Sequence, residues 1–485
     1  MTAARHLSLA VPLLAVLAAA LLDRRQDGRT VALLNRRRDA RAVARLDRRQ
    51  DALPERRQDA RAAALLAFVA AAVGVTALND VARVTGWFAF ASVRGAYRGM
   101  PVDLWIGWAA LWGPLPVLLR RVLPVPVALG LLLWLDVVAM PALHPLVRLG
   151  PHWLVGEAVG LLAVALPAQL LGRFSADRRH LRTRTLLQLG LFAALLLWFV
   201  PTLAFELGDG SWAALTGLPA TRLVLLAQVA LLVAVPALAA VREFSARGGG
   251  TPYPWDPPRR LVTTGPYSYL ANPMQVGAVA LTLLTAAVTR SLALAAAAVV
   301  IVAFGAAVAR PHEEYDLDHR YGQRWRGYRR QVRNWWPRWR PYPGTPAVLW
   351  LDDDCGPCEA TRRFLERRQP VNLTIAPAAA HPRLLWRAEY AGGDGHTERG
   401  VAAVARALEH VDLGWAMVGW TLRLPGIGWL AQLVTDAMIA PPHPARRRGE
   451  GCPTPSNGCS TAPSPRSVST ASPESRPAPS PRPQG

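Results

Sequence analysis

The chain has 485 residues, is 52% hydrophobic and carries a formal net charge of +22 with 18% charged residues. A mean hydropathy of +0.17 alongside so much charge requires the apolar residues to be segregated into blocks, which excludes an ordinary soluble globule. Every basic residue is Arg, and the Arg clusters sit beside the apolar blocks, where they orient helices and meet anionic headgroups; the partner this implies is a lipid bilayer and not a nucleic acid.

In chain order, Leu7–Leu22 follows Arg5 and reads as a short first span (residues 1–22) rather than a signal segment, since no small-residue cleavage site follows it. Residues 23–61 carry a twelve-residue repeat beginning at Asp23, at Asn35, in truncated form at Asp47, and again at Glu55. This reads as a polar cytoplasmic insert, helix-prone or disordered, with a docking element as the alternative. A transmembrane helical region (62–241) comes next. Its apolar blocks lie near 62–78, 102–119, 122–147, 154–171, 186–207 and 223–241. Two more blocks, 276–288 and 292–309, are joined by little more than Thr289–Arg290–Ser291 and predict a late helical hairpin. A helix rises about 1.5 Å per residue across a hydrocarbon core of about 30 Å, so most blocks are long enough to span; the hairpin helices are marginal. The expected fold class is therefore a polytopic α-helical membrane protein of about nine spans.

If the chain alternates at each block, the Arg-rich loops 23–61, 120–121, 173–184 and 242–271 and everything from Arg310 onward share one side. By the positive-inside rule that side is the cytoplasm of a cell (inner) membrane. The segment Arg83–Arg98 falls on the other side and fits less well, and Tyr97–Gly113 reads as a lipid-facing amphiphilic re-entry.

Chemistry concentrates in two places. The segment GTPYPWDPPRRLVTTGPYSYLANPMQVG (250–277) precedes the hairpin, and RPHEEYDLDHRYGQRWRGYRRQVRNWWPRWRP (310–341) follows it, so both lie at its cytoplasmic ends and face each other. Glu313 and Glu314 oppose the positive-inside trend beside a membrane helix and need a functional reason. At Gly265, Pro266, Tyr267, Tyr269, Asn272, Pro273 and Gly277, then Glu313, Glu314, Leu317, Tyr321, Gly322, Tyr328, Pro337 and Arg338, the chain resembles the isoprenylcysteine carboxyl methyltransferase and phospholipid methyltransferase families. The resemblance covers roughly residues 250–341 within a core of 242–341, although Asn272 stands where many members have His and Ala271 where Arg is usual. It implies S-adenosylmethionine as cofactor and a lipid-like or isoprenoid methyl acceptor. Tyr267, Tyr269, Asn272, Pro273 and Gly277 would shape the cofactor pocket, Glu313 and Glu314 would meet its ammonium or ribose, and Arg338 would anchor an anionic substrate group. The rival is an NADPH-dependent sterol-type membrane reductase, which YGQRW (321–325) also fits.

The second place is AVLWLDDDCGPCEATRRFLERR (347–368), a β-like run, a C-x-x-C and a helix-forming stretch. A thiol at a helix N-terminus is activated by the helix dipole, and a second one turn on can resolve a mixed disulfide. Cys355 is thus the expected attacking thiol and Cys358 the resolving one, with a thiol redox partner implied; Asp352, Asp353 and Asp354 oppose the activation. Together with GWAMVGWTLRLPGIGWLAQLVTDAMIA (414–440), this segment resembles the DCC-type thiol-disulfide oxidoreductase family, although Asp353 replaces that family's Gly. The resemblance implies a cytoplasmic α/β thioredoxin-like domain over 346–441. Only Cys452 and Cys459 remain, in a Pro/Ser/Arg-rich stretch (446–485) read as a disordered tail, and no metal site is expected. A membrane-anchored thiol oxidoreductase with a vestigial methyltransferase pocket is the further alternative.

Overall fold

The computed structural model describes residues 2–35 and 53–438. The middle of the twelve-residue repeat and the tail with Cys452 and Cys459 lie outside the described residues.

Among the described residues, seven helices are long and apolar enough to cross a membrane: Thr2–Arg24, Asp59–Thr85, Val125–Ala142, Trp153–Ala176, Leu181–Leu207, Ala220–Gly248 and Leu292–Ala309. The remaining two of the nine expected blocks are shorter apolar helices, Val102–Leu118 and Pro273–Thr289. The first is interrupted at Gly113–Pro114, where proline cannot supply the N–H that continues the ladder.

Ion pairs bind the helix ends into two groups. At one end Asp23 meets Arg120 and Arg121 at 3.7 and 3.6 Å, Arg178 meets Asp59 at 2.9 Å, and Arg184 meets Asp256 at 3.0 Å. At the other end Arg5 meets Asp103 at 2.5 Å, and Arg98 meets Asp80 at 2.7 Å and Glu206 at 3.4 Å. Arg98, which fitted the positive-inside pattern poorly, is thus flanked by carboxylates.

The first half packs around Asp59–Thr85, whose Ala60, Ala63, Ala67 and Ala71 are almost fully buried and let Trp153–Ala176 approach closely. Trp108 and Trp112 of helix Val102–Trp112 sit in the same core. The expectation of a lipid-facing re-entry at Tyr97–Gly113 is corrected by this: large aromatics at helical spacing pack inward when small residues opposite leave room.

After the membrane helices comes a four-stranded mixed sheet. Ala347–Leu351 runs parallel to Leu373–Pro377 and antiparallel to Glu389–Gly392, which pairs antiparallel with Thr397–Arg399. In chain order the strands lie second, first, third, fourth. Alternation of apolar residues in AVLWL buries Ala347, Leu349 and Leu351 on one face, against Leu365, Ala403 and Leu408. Helices Gly356–Arg367, Val401–Leu408, Leu413–Leu422 and Ile427–Met438 complete this part.

Candidate functional site

The two segments flanking the hairpin are laced together, backbone to backbone. Ala271 N–H donates to Arg333 O at 2.9 Å, Arg338 N–H to Tyr269 O at 2.9 Å, and Tyr342 N–H to Ser268 O at 2.7 Å. The Tyr328 hydroxyl donates to Tyr267 O at 2.8 Å, and the Tyr321 hydroxyl to Pro258 O at 2.9 Å. The spaced tyrosines therefore close the loop 258–271 onto the helices Arg310–Tyr321 and Gln323–Gln331.

Among the described residues, two polar groups in this arrangement lack partners. The Tyr267 hydroxyl is buried without a hydrogen bond. Glu313 has no hydrogen-bond or ion-pair partner among the described residues, whereas its neighbour Glu314 accepts from Arg310 at 2.9 Å and from Arg329 at 3.5 Å. Burial, reinforced by the Glu314 charge, lifts the Glu313 carboxyl to about 7. Burial likewise raises the Tyr267 phenol well above its ordinary value, with Glu313 among the charges that push it further. An unpaired carboxyl and an unpaired phenol within electrostatic reach of each other form a site that a cationic, hydrogen-bonding ligand would complete.

The other expected residues are placed differently. Pro273 is the first residue of helix Pro273–Thr289, where its missing N–H costs nothing, and Asn272 precedes it without capping through its side chain. The close approach at Gly277 is made by a neighbouring helix: an added Cβ would lie 2.7 Å from Ala237 Cβ. The Tyr269 hydroxyl donates to Glu409 O at 2.9 Å and its ring stands edge-on to Trp420, so its side chain belongs to the contact with the C-terminal part. Arg338 directs its guanidinium to Gln331 O and Arg340 O, 3.2 Å each, and thus tethers its own segment.

Sequence reasoning missed Gln275, whose amide lies over Gly305 with no room for a Cβ there, at the wide helical turn Gly305–Ala309 that leads into Glu313. Wide turns of this kind recur at functional sites. It also missed a buried ionic network beneath the loop. Arg406, almost completely buried, meets Glu243 and Glu409 at 2.5 Å each; Arg423 meets Glu409 at 2.7 Å and Glu398 at 2.9 Å; Arg247 meets Glu243 at 3.0 Å and Asp394 at 2.5 Å. Burial alone would pull the Arg406 guanidinium down, but Glu243 and Glu409 outweigh it and hold the pKa above the ordinary value. The Thr264 hydroxyl also donates to Glu243, and Gly265, at φ +61°, leaves the space that Glu243 and Arg406 occupy. The signal was a lone Glu243 in an Arg-rich helix end, which needs a buried cationic partner.

At the second place, Cys355 stands at the N-cap of helix Gly356–Arg367 with Cys358 one turn on, and both thiols are free. Burial and the adjacent Cys355 thiol push Cys358 up to about 12. Asp353 is drawn off to an ion pair with Arg362, while Asp352 remains beside the thiols. The pair opens on a cavity of about 640 Å³ lined by Leu385, Trp386, Arg399, Val401 and Gln432 among others.

Compared with known proteins, residues 222–324 match the phospholipid methyltransferase family model. No curated protein and no solved structure matches the chain. The matched stretch runs from helix Ala220–Glu243 through the loop and the hairpin to Gln323–Arg324, and so contains Tyr267, Glu313 and Glu314; it supports a membrane methyltransferase that acts on lipid-like substrates.

Proposed function

We propose that the chain is a membrane-embedded, S-adenosylmethionine-dependent methyltransferase of a lipid-like or isoprenoid acceptor, with an appended thiol-disulfide domain. The observation that carries this reading is the half-buried carboxyl of Glu313, which meets no cation among the described residues and lies inside the segment matched by the phospholipid methyltransferase family. Bound S-adenosylmethionine supplies an electrophilic methyl group on a sulfonium. Glu313, once ionised, holds the positive end of that ligand, and the Tyr267 hydroxyl offers the hydrogen bond it otherwise lacks. Glu314 keeps Arg310 and Arg329 in place, and the tyrosine lacing closes the loop against water. The methyl acceptor arrives laterally along the hairpin, where Leu283, Val299 and Val300 are exposed to lipid. Direct transfer needs alignment of the acceptor more than acid or base catalysis. The family match favours methyl transfer over NADPH-dependent reduction.

Ion pairs and hydrogen bonds at both ends of the two shorter helices support nine crossings with the Arg-rich loops and the C-terminal part on the cytoplasmic side. Arg5–Asp103 lies at one end of Val102–Leu118 and Asp23–Arg120 at the other; Ser291 bonds Asp209 beyond Thr289, opposite the lacing at Ala271. The strand order and the position of Cys355 at a strand–helix junction support a thioredoxin-like domain. In it the Cys355 thiolate attacks a disulfide of a redox partner, releasing one thiolate; the Cys358 sulfur then displaces the second, giving up its proton and leaving a Cys355–Cys358 disulfide.

Calorimetry on detergent-purified protein tests the main reading. S-adenosylmethionine should bind, and Glu313→Gln/Glu314→Gln should abolish binding while Cys355→Ser leaves it intact. Binding of NADPH in its place would overturn the proposal.

A further inference from the structure

The C-terminal part does not merely follow the membrane helices in sequence. Ala416 and Trp420 of helix Leu413–Leu422 are buried against Val235 of the spanning helix Ala220–Gly248, with Met417 and Leu424 packed on the same cluster. Arg242, near the end of that helix, donates to Arg423 O at 2.6 Å. Val235 lies seven residues before Arg242, which at about 1.5 Å per residue places the Ala416–Trp420 contact about 10 Å deeper along the helix than its charged end. The chain then turns at Gly426, φ +84°, and starts helix Ile427–Met438 beside this boundary.

That helix is two-faced. Gln432, Thr435 and Asp436 line the dithiol cavity, and the Gln432 side chain accepts from Val401 N at 2.8 Å. Trp429, Leu430, Leu433 and Val434 are 70%, 55%, 51% and 48% exposed, and Met438 is 80% exposed, although residues of this kind are rarely left together in water. A Trp among branched aliphatics, on a helix that starts next to the charged end of a spanning helix, is the composition of an in-plane interfacial helix.

We propose that helix Ile427–Met438 lies in the headgroup boundary of the bilayer, on the side of Arg242, with Trp429, Leu430, Leu433 and Val434 as its lipid face. The occupant is the lipid surface because helix Ile427–Met438 packs directly on Leu413–Leu422, which itself packs on the spanning helix Ala220–Gly248 about 10 Å below its charged end. The dithiol cavity then sits one helix thickness from the bilayer, so the disulfides it reaches most readily are membrane-borne. This inference rests on the spanning helices and is independent of methyl transfer.

The test uses the full chain with its four cysteines replaced by serine, in lipid nanodiscs, carrying one nitroxide-labelled cysteine at Leu430, Leu433 or Val434, with Thr435 as the opposite face. Collision with dissolved oxygen against a water-soluble nickel complex reports depth. The oxygen-to-nickel ratio should be several-fold higher at positions 430, 433 and 434 than at 435. Ratios as low at 430 and 433 as at 435, with free access for nickel, would overturn the proposal. Labels shielded from both reagents would overturn it too, by showing a protein partner such as a second copy of the chain.

Discussion

Glu313 stands in an unfavourable position to which the proposed function gives a chemical use. Its carboxyl, raised from 4.5 to about 7 by burial first and by Glu314 second, keeps a proton in the fold that the unfolded chain releases. Stability contributed at this position is therefore greatest at low pH, falls as pH rises from 4.5 through about 7, and is level above. Glu313→Gln should remove that pH dependence, measurable as melting temperature between pH 5 and pH 8. A cationic ligand has the opposite preference: S-adenosylmethionine affinity should drop about tenfold per unit below pH 7 and level off above, as calorimetry across the range would read. Tyr267→Phe separates stability from binding. A buried, unbonded hydroxyl costs about 1–3 kcal/mol, so the variant should melt no lower than the parent while its ligand affinity falls. At the thiols, Cys358 at about 12 should resist iodoacetamide near pH 8 while Cys355 reacts; peptide mapping by mass spectrometry distinguishes them.

At the scale of elements, the loop 258–271 is held from both sides, by tyrosine hydroxyls and backbone bonds from 321–342 and by the ionic network below it. Arg406→Ala leaves Glu243 and Glu409 buried without their shared cation and should cost about 3–5 kcal/mol, read as a lower melting point and faster proteolysis near residue 400. Arg406→Met with Glu243→Gln should recover much of the loss. Much of this was legible in the sequence. The hairpin followed from two apolar blocks joined at Thr289–Arg290–Ser291, and the meeting of its flanking segments followed from the hairpin. What was not legible is where individual side chains turn. Tyr267 and Tyr269 stand two residues apart in one short turn, yet one remains unbonded near Glu313 while the other crosses to Glu409 and Trp420. Gly277 reads equally as room for a ligand or for a helix, and only the position of Ala237 decides between them. Arg406 carries no sign of its role because its partner Glu243 lies 163 residues away.

Over the whole molecule, charge at the helix ends does more than the positive-inside pattern records. Arg98 sits between Asp80 and Glu206, and Arg5 against Asp103, so these two arginines on the less basic side are paired with carboxylates. Segregation of apolar blocks made the membrane class plain, while the seven long helices and two shorter ones show why counting by length alone gives a smaller number than counting blocks. The loop that carries Tyr267 and the helix that carries Arg406 share one buried network, so the proposed methyl-transfer site and the C-terminal part are joined through Glu243. Methyl transfer in the membrane would be read as incorporation of label from methyl-labelled S-adenosylmethionine into the organic-extractable fraction of proteoliposomes holding this protein and a total lipid extract. The expected result of methyl transfer by this protein is labelled lipid that disappears with Glu313→Gln and persists with Cys355→Ser. An organic fraction without label under conditions where S-adenosylmethionine binds, or label unaffected by Glu313→Gln, would contradict it.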